Sequence, residues 1–241
     1  MNHFKNLFGI NPKQVHKNCI LAPFLYKGIL EELGVKDLIQ GKPYASGPTK
    51  DFTFIYTGLG SAFLGDAVLY LKDSPCQNLI LFGACGLTAQ TKELKIGSIV
   101  SPGECYAWES FSDNLFKESH NLKLSYPDKD LLNKLTVPHS WGIKRVRGAT
   151  LGSVNLELEN LNVLKEKGIE AVDMECSAFF NAAQFIKRKA VSMLYATDII
   201  DEKSVYAPFS PDERRLVHAA RKKTADILKH FCKELTGPAT P

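Results

Sequence analysis

The sequence predicts an α/β fold: a single domain with a mixed, mostly parallel central sheet flanked by helices. Continuously apolar runs such as Ala190–Ala196 alternate with segments of helical spacing such as Cys176–Ile186. Apolar runs of this kind are typical of strands that are covered on both faces of a parallel sheet. The 241 residues can bury a large core, and no stretch rich in Pro, Gly and Ser divides them. We therefore expect one domain over residues 1–241, with residues 1–17 and 237–241 as peripheral tails.

The first third of the chain contains two predicted strand–helix pairs. Cys19–Ala22 is an apolar run that predicts a strand, and Leu25–Leu33 has helical spacing that ends at Gly34. Phe52–Thr57 predicts a second strand, because aromatic and β-branched side chains favour sheets. Ala62–Leu71 follows with the length and spacing of a helix.

The middle of the chain combines two short strands with a polar segment. Leu79–Phe82 predicts a buried strand, which we expect to end in a glycine-rich loop over residues 83–86. Ser98–Val100 predicts the next strand. From about residue 104 to residue 140 the sequence is polar and irregular, with one short helix predicted near Asp130–Leu135.

The last third returns to alternating strands and helices. The predicted strands are Arg145–Leu151, Ile169–Met174 and Ala190–Ala196. The helices between them are Glu159–Lys167 and Cys176–Ile186.

The C-terminal helix has the clearest start signals. Ser210 suits the N-cap, Pro211 suits the first helical position, and Glu213 completes a capping box. An apolar stripe then continues to Gly237. We expect the basic residues of this helix to face solvent: Arg214, Arg215, Arg221, Lys222 and Lys223.

Composition and charge exclude several classes of protein. The net charge of +4 lacks the clustered basic footprint of a nucleic-acid-binding protein. The six cysteines have no C-x-x-C spacing, and the histidines complete no metal-binding pattern. No apolar stretch approaches the ~18 residues of a membrane span, and the N-terminus lacks the apolar region of a signal peptide. We expect a cytoplasmic protein with no cofactor, no metal and no nucleic-acid or membrane partner.

Glycines follow two of the predicted strands. Ligands of α/β proteins collect beyond the carboxyl ends of the strands, where glycines let backbone N–H groups approach an anion. Gly58 and Gly60 stand at one such end, and residues 83–86 stand at another. Neither segment ends in the Gly-Lys-Ser/Thr of a P-loop.

Carboxylates end two of the apolar strands. Asp173 and Glu175 follow one strand, and Asp198 ends the next, which we expect to be its neighbour in the sheet. Buried carboxylates are unfavourable unless they are paired, so such a cluster indicates a ligand site. The structural alternative is that these residues cap the helices that follow them.

Three motifs resemble the nucleoside phosphorylase/nucleosidase superfamily. Residues 168–180, Gly-Ile-Glu-Ala-Val-Asp-Met-Glu-Cys-Ser-Ala-Phe-Phe, resemble its strand that ends in an acidic–Met–Glu triplet before a helix of small residues. Residues 192–200, Ser-Met-Leu-Tyr-Ala-Thr-Asp-Ile-Ile, are similar to its Ser/Thr-Asp strand end. Residues 83–87 with residues 94–100 resemble its glycine loop and the following strand. The motifs occur in family order and together span roughly residues 52–235.

The resemblance implies cleavage of the N-glycosidic bond of a purine or modified purine nucleoside. Asp198 is the implied general acid toward purine N7, a role that requires a raised pKa. Glu175 is implied to accept hydrogen bonds from the ribose hydroxyls, with Met174 beneath the sugar. The other implied substrate-binding residues are Asp173, Cys85 and Gly86. The implied phosphate-binding residues are Gly58, Gly60, Gly83, Ala84 and Lys27. Candidate aromatics for stacking on the base are Tyr106, Trp108, Phe111, Tyr206 and Phe209.

Two departures from the family leave the nucleophile open. Leu81 and Ala84 stand where phosphorylases carry an Arg and a Ser or Thr. Lys27 stands near the position where hydrolases of the family carry a Glu that activates water. We expect phosphorolysis, with phosphate held by Lys27 and the glycine N–H groups, and with Arg145 or Arg147 as a further cation.

Other interpretations remain. One alternative is a hydrolytic nucleosidase of the methylthioadenosine or futalosine type, and another is a catalytically weak nucleoside-binding protein. A dinucleotide-binding fold is disfavoured, since Phe63 stands where the third Gly of its motif belongs. The resemblance also implies a homo-oligomer.

Overall fold

The computed structural model describes residues 3–89, 91–119, 122–203 and 205–237, which contain ten strands and eight α-helices. The strands are β1 (Asn18–Ala22), β2 (Ile39–Gln40), β3 (Ala45–Pro48), β4 (Thr53–Tyr56), β5 (Asn78–Leu87), β6 (Ile99–Trp108), β7 (Lys123–Ser125), β8 (Lys144–Leu151), β9 (Ala171–Asp173) and β10 (Lys189–Ile199). The helices are α1 (His3–Phe8), α2 (Ile29–Leu33), α3 (Ser61–Tyr70), α4 (Phe111–Leu115), α5 (Lys129–Thr136), α6 (Leu161–Glu166), α7 (Cys176–Phe185) and α8 (Pro211–Thr236).

The strands form one mixed sheet, which confirms the predicted fold class. Its order is β10-β6-β8-β9-β5-β1-β4-β3-β2, with β7 beside β6. β10 also pairs with β5, so β5, β10, β6, β8 and β9 close into a ring. Helices α7 and α8 both pack against β10. None of the helices in the described residues is long and apolar enough to span a bilayer.

Strand β5 lies between the two strands that end in carboxylates. It pairs with β10 in parallel, with Gly86 opposite Asp198, and with β9 in antiparallel, with Gly86 opposite Val172. The expectation that the two carboxylate-bearing strands are adjacent is therefore wrong. A shift of register between Ala196 and Asp198 interrupts the β5–β10 ladder, and such irregularities redirect a side chain.

The glycine-rich segment 83–86 is not a loop. It continues β5 as far as Leu87, and its backbone pairs with residues 194–198 of β10. Small residues are needed here because the strands and their side chains approach closely. A Cβ atom added to Gly86 would lie 3.0 Å from Asp198 Oδ2, and one added to Gly83 would lie 3.1 Å from Leu194.

The N-terminal segment is not a peripheral tail. Residues 3–17 include α1, and the side chains of Phe4, Phe8, Ile10 and Val15 are buried in the main core. The prediction failed because these apolar residues are too few to show a helical period. Of the predicted C-terminal tail, only Gly237 lies within the described residues.

The polar middle is more regular than expected. β6 extends to Trp108, and α4 and β7 precede the predicted short helix α5. The start of α8 is as predicted: Ser210 Oγ accepts a hydrogen bond from Glu213 N at 3.3 Å, and Glu213 Oε2 accepts one from Ser210 N at 2.7 Å.

Candidate active site

A cavity of about 320 Å³ opens where the end of β9 meets the carboxyl-terminal halves of β5 and β10. Four carboxyl groups line it, from Glu157, Asp173, Glu175 and Asp198. Arg221 reaches it from α8. The cavity therefore combines acidic groups with a cation at the position where ligands of α/β proteins collect.

Asp198 is a buried carboxyl group at the end of β10. Its Oδ1 accepts a hydrogen bond from Thr197 Oγ1 at 2.7 Å, and only 3% of the residue is exposed. Burial raises its pKa to about 6, although the Thr197 hydroxyl acts in the opposite direction. A carboxyl group with such a pKa can donate a proton near neutral pH.

Glu157 is a second buried carboxyl group in the cavity, and sequence reasoning missed it. It directly follows a single turn of 3-10 helix over Val154–Leu156. Burial raises its pKa to about 8, with further contributions from the charges of Asp198 and Asp173. It lies in a predicted connection without hydrophobic period, where a charged residue is expected to face solvent.

Asp173 lines the cavity, but its oxygens already have partners. Oδ1 accepts a hydrogen bond from Thr150 Oγ1 at 2.7 Å. Oδ2 accepts two from backbone N–H groups, of Glu175 at 3.0 Å and of Cys176 at 2.6 Å. Its carboxylate thus satisfies the start of α7, as the structural alternative for this motif anticipated.

Glu175 links two helix starts. Its Oε1 accepts a hydrogen bond from Gly60 N at 2.7 Å, and Ser61 Oγ at the start of α3 donates to Met174 O at 2.7 Å. Burial and the charge of Asp173 raise the pKa of Glu175. The hydrogen-bond acceptor held at the glycine turn before α3 is therefore this chain's own carboxyl group.

The glycine turn itself has the conformation that its sequence predicts. Gly58 has φ +79° and Gly60 has φ +98°, values that favour glycine. Leu59 between them lines the cavity.

The remaining predicted site residues divide into two groups. Ala84, Cys85, Gly86 and Met174 line the cavity, and the Cys85 thiol stays protonated because burial and Asp198 raise its pKa. Gly83 is packed against Leu194 within the sheet. The structure does not bring Lys27 to the cavity, since its side chain is exposed on the segment after β1.

The cation that lines the cavity is none of the three that the sequence suggested. Arg145 bonds Asn133 and Thr136 on the surface, and Arg147 pairs with Glu104. Arg221, which we expected to face solvent, is half-buried and lines the cavity. It lies on the buried face of α8, four residues after Val217 and three before Thr224. This helical spacing places Arg221 on the same face as the buried residues, which could have been recognised from the sequence.

Two of the five candidate aromatics reach the cavity. Tyr206 and Phe209, from the segment before α8, line it. Trp108 is buried in a second, smaller core cluster against which Tyr106 packs, and Phe111 is exposed on α4. The described residues contain no group of three or more His, Cys, Asp and Glu side chains arranged to hold a metal ion.

Comparison with known proteins identifies relatives of this fold. The family model of the phosphorylase superfamily matches residues 40–233. A uridine phosphorylase from Vibrio fischeri is similar in structure, with a TM-score of 0.73 and 17% identity over 93% of this chain and 94% of that one. A 5'-methylthioadenosine/S-adenosyl homocysteine nucleosidase from Campylobacter jejuni has a TM-score of 0.71 and 17% identity over 91% of this chain and 99% of that one.

Both reaction types occur among the similar structures. A futalosine hydrolase of Helicobacter pylori has a TM-score of 0.69 and 16% identity over 91% of this chain and 98% of that one. A comparison with curated proteins returns no significant match. At these identities the similar structures establish the fold, and the family model establishes the family. The chain belongs to the phosphorylase superfamily of nucleoside phosphorylases and nucleosidases, whose members are glycosyl-cleaving enzymes.

Proposed function

We propose that the protein cleaves the N-glycosidic bond of a purine nucleoside, with Asp198 as general acid and inorganic phosphate as nucleophile. The observation that carries the proposal is Asp198 itself, whose buried carboxyl has a pKa of about 6 and faces the cavity. Met174 and Glu175, which the family resemblance assigns to the sugar, line the same cavity.

The proposed reaction proceeds as follows. The bond between ribose C1' and purine N9 breaks, and its electron pair moves onto the base. Asp198 transfers its proton to N7, so the base leaves in neutral form, and a phosphate oxygen forms the new bond to C1'. The transfer avoids a free anionic base, and general acid assistance of this kind contributes ~10²–10⁴-fold.

Glu175 and Met174 are proposed to hold the sugar. Glu175 lines the cavity, so the second oxygen of its carboxyl can accept a hydrogen bond from a ribose hydroxyl. The first oxygen is fixed by Gly60 N, which orients the carboxyl before the substrate arrives. The Met174 side chain offers an apolar and polarizable surface for the ring.

Glu157 is proposed to contact the base. With a pKa of about 8 it is mostly protonated at neutral pH, so it can both donate and accept a hydrogen bond. It shares the cavity with Asp198, whose proton goes to the base, and with Tyr206, whose ring is proposed to stack on the base.

Hydrolysis is the second candidate, and a specific observation favours it. Leu81 and Ala84 offer no polar group, and Lys27 lies outside the cavity, so three of the expected phosphate contacts are missing. Against hydrolysis, the segment after β1 supplies no carboxylate to activate water: Phe24 lines the cavity there.

A panel of purine and pyrimidine nucleosides, assayed with and without phosphate, tests the proposal. We expect release of a free purine base and formation of a sugar 1-phosphate only when phosphate is present. Free sugar released in phosphate-free buffer would assign the hydrolytic reaction instead. Absence of base release from every nucleoside, in protein that still binds one, would leave only a nucleoside-binding role.

A further inference from the structure

Arg221 brings a positive charge into the cavity without a negative partner. Its Nε donates a hydrogen bond to Tyr195 Oη at 3.1 Å. The guanidinium carbon lies 4.7 Å from the ring centre of Tyr26 and 5.3 Å from that of Tyr195. Within the described part of the chain, no carboxylate forms an ion pair with it.

Most of the donors of this side chain are unused. A guanidinium has five N–H groups, of which Nε–H takes one partner. The four N–H groups on the terminal nitrogens have no acceptor among the described residues. The two tyrosine rings meanwhile fix the position of the group, as expected for a cation held against aromatic faces.

Arg221 is the one Lys or Arg side chain among the described residues that line the cavity, and none of the four carboxyl groups there pairs with it. Phe24, Ala84 and Phe209 line the cavity without offering a charge, and Ala84 is the register partner of Tyr195. An apolar wall excludes water and strengthens any charge–charge contact. The planar guanidinium fork matches two oxygens of a phosphate or a carboxylate.

We propose that Arg221 is the principal binding group of an oxyanion subsite in this cavity. The inference rests on the proposed function for the identity of the anion, which is inorganic phosphate acting as the nucleophile. The same chemistry would also recognise an anionic substituent carried by the nucleoside. Arg221 then replaces, from the C-terminal helix, the cation that Leu81 does not supply from the sheet.

The matched variants are Arg221→Gln, Arg221→Lys and Lys222→Gln. Arg221→Gln removes the charge, whereas Arg221→Lys keeps the charge but not the fork. Lys222→Gln removes one positive charge from the exposed face of the same helix and serves as the control. Thermal unfolding identifies any variant that loses stability, because Arg221 also packs against Tyr26 and Tyr195.

The first measurement is direct binding of inorganic phosphate by equilibrium dialysis, which needs no turnover. We expect saturable binding to the wild type and to Lys222→Gln, and binding weakened about 10- to 100-fold in Arg221→Gln, since a charge-assisted bidentate contact is lost. The affinity of Arg221→Lys for phosphate should lie between those of the wild type and Arg221→Gln. Binding without base release would leave the subsite in place and refute the proposed function.

The second measurement compares a nucleoside with its 5'-carboxylate analogue in phosphate-free buffer, by calorimetry. If Arg221→Gln weakens only the analogue, the subsite is supported and the nucleoside supplies the anion. If Arg221→Gln binds phosphate and the analogue as tightly as the wild type does, or if the wild type binds neither, the subsite is refuted.

Discussion

Asp198 and Glu157 line the same cavity, yet burial raises their pKa values to different levels. Asp198 accepts a hydrogen bond from Thr197, which stabilises its charged form, so burial raises its pKa only to about 6. Glu157 has no side-chain hydrogen bond within the described residues, and burial raises its pKa to about 8. Near neutral pH, Asp198 can therefore exchange a proton while Glu157 keeps its own.

The pH dependence of kcat/KM tests this difference at Asp198. Because the proposed mechanism needs the protonated acid, we expect kcat/KM to fall as the pH rises above about 6. Thr197→Val removes the hydroxyl that lowers this pKa, so the falling limb should move to higher pH. A limb that stays at the same pH in Thr197→Val would contradict the assignment to Asp198.

The raised pKa of Glu157 should make the stability of the protein depend on pH. Its pKa rises from 4.5 to about 8 on folding, so between these values the folded state binds more protons than the unfolded state. The free energy of unfolding should therefore fall as the pH rises through this window, by ~1.4 kcal/mol for each unit of pKa difference. Urea unfolding at pH 5 and pH 8 measures this change in the free energy of unfolding.

Two variants make the Glu157 measurement specific. Glu157→Gln should lose less stability than the wild type between pH 5 and pH 8. Glu166→Gln, on the exposed side of α6, should behave as the wild type. Equal losses in wild type and Glu157→Gln would show that Glu157 is not the buried acid described above.

At the scale of elements, the site depends on where helices α3 and α7 begin. Asp173 holds the first N–H groups of α7, while Glu175 accepts the N–H of Gly60 just before α3. These contacts join two helices that pack against each other beside the sheet. A change in the turn before α3 is therefore expected to move Glu175.

Gly60→Ala tests this coupling. Gly60 has φ +98° and ψ 154°, a conformation that other residues rarely adopt, and a Cβ there meets no atom within 4 Å. Backbone strain alone should lower the free energy of unfolding by about 1–3 kcal/mol, and the displaced N–H should raise KM for the nucleoside.

Gly34→Ala is the matched control. Gly34 ends α2 at φ +73° with no atom within 4 Å of an added Cβ, so the change should destabilise the protein by ~1 kcal/mol. Its KM should stay at the wild-type value. A wild-type KM in Gly60→Ala would mean that the contact with Glu175 does not position the sugar-binding group.

The sequence predicted elements best where the signal is local. The apolar runs of β1 and β10 and the capping box of α8 are visible without tertiary information. The missed elements are short, and their apolar residues are too few to establish a period: α1, α4, β2, β3 and β7. Segment 83–86 was misassigned because glycine marks both turns and close strand packing.

The same distinction applies to the site. The carboxylates of Asp173, Glu175 and Asp198 end apolar strands, so the sequence indicated them. Glu157 and Arg221 come from a connection and from a helix that also carries exposed charges, and only the tertiary structure brings them to the cavity.

At the scale of the whole molecule, the closed ring of five strands fixes the relative positions of β5, β9 and β10. The site is lined by residues of these three strands, and its cation comes from the last helix. Packing of α8 against β10 is therefore needed to complete the site. Helix and ring should unfold together, since the buried face of α8 belongs to the main core.

The family resemblance and the surface both lead us to expect a homo-oligomer. Around α4, Phe111, Leu115 and Phe116 are 57%, 50% and 70% exposed. Neighbouring exposed apolar side chains of this size are typical of contact surfaces. Light scattering should give a multiple of 26.8 kDa, and Phe116→Asp should lower the mass. A single 26.8 kDa species in the wild type would contradict this expectation.

Release of purine base by Asp198→Asn shows whether Asp198 is the general acid. Asparagine keeps the shape of the side chain but cannot donate the acid proton, so the rate should fall ~10²–10⁴-fold while nucleoside binding and thermal stability are retained. Asp201→Asn, the same change at a partly exposed residue that pairs with Lys165, should keep the wild-type rate. A wild-type rate in correctly folded Asp198→Asn would mean that Asp198 is not the general acid.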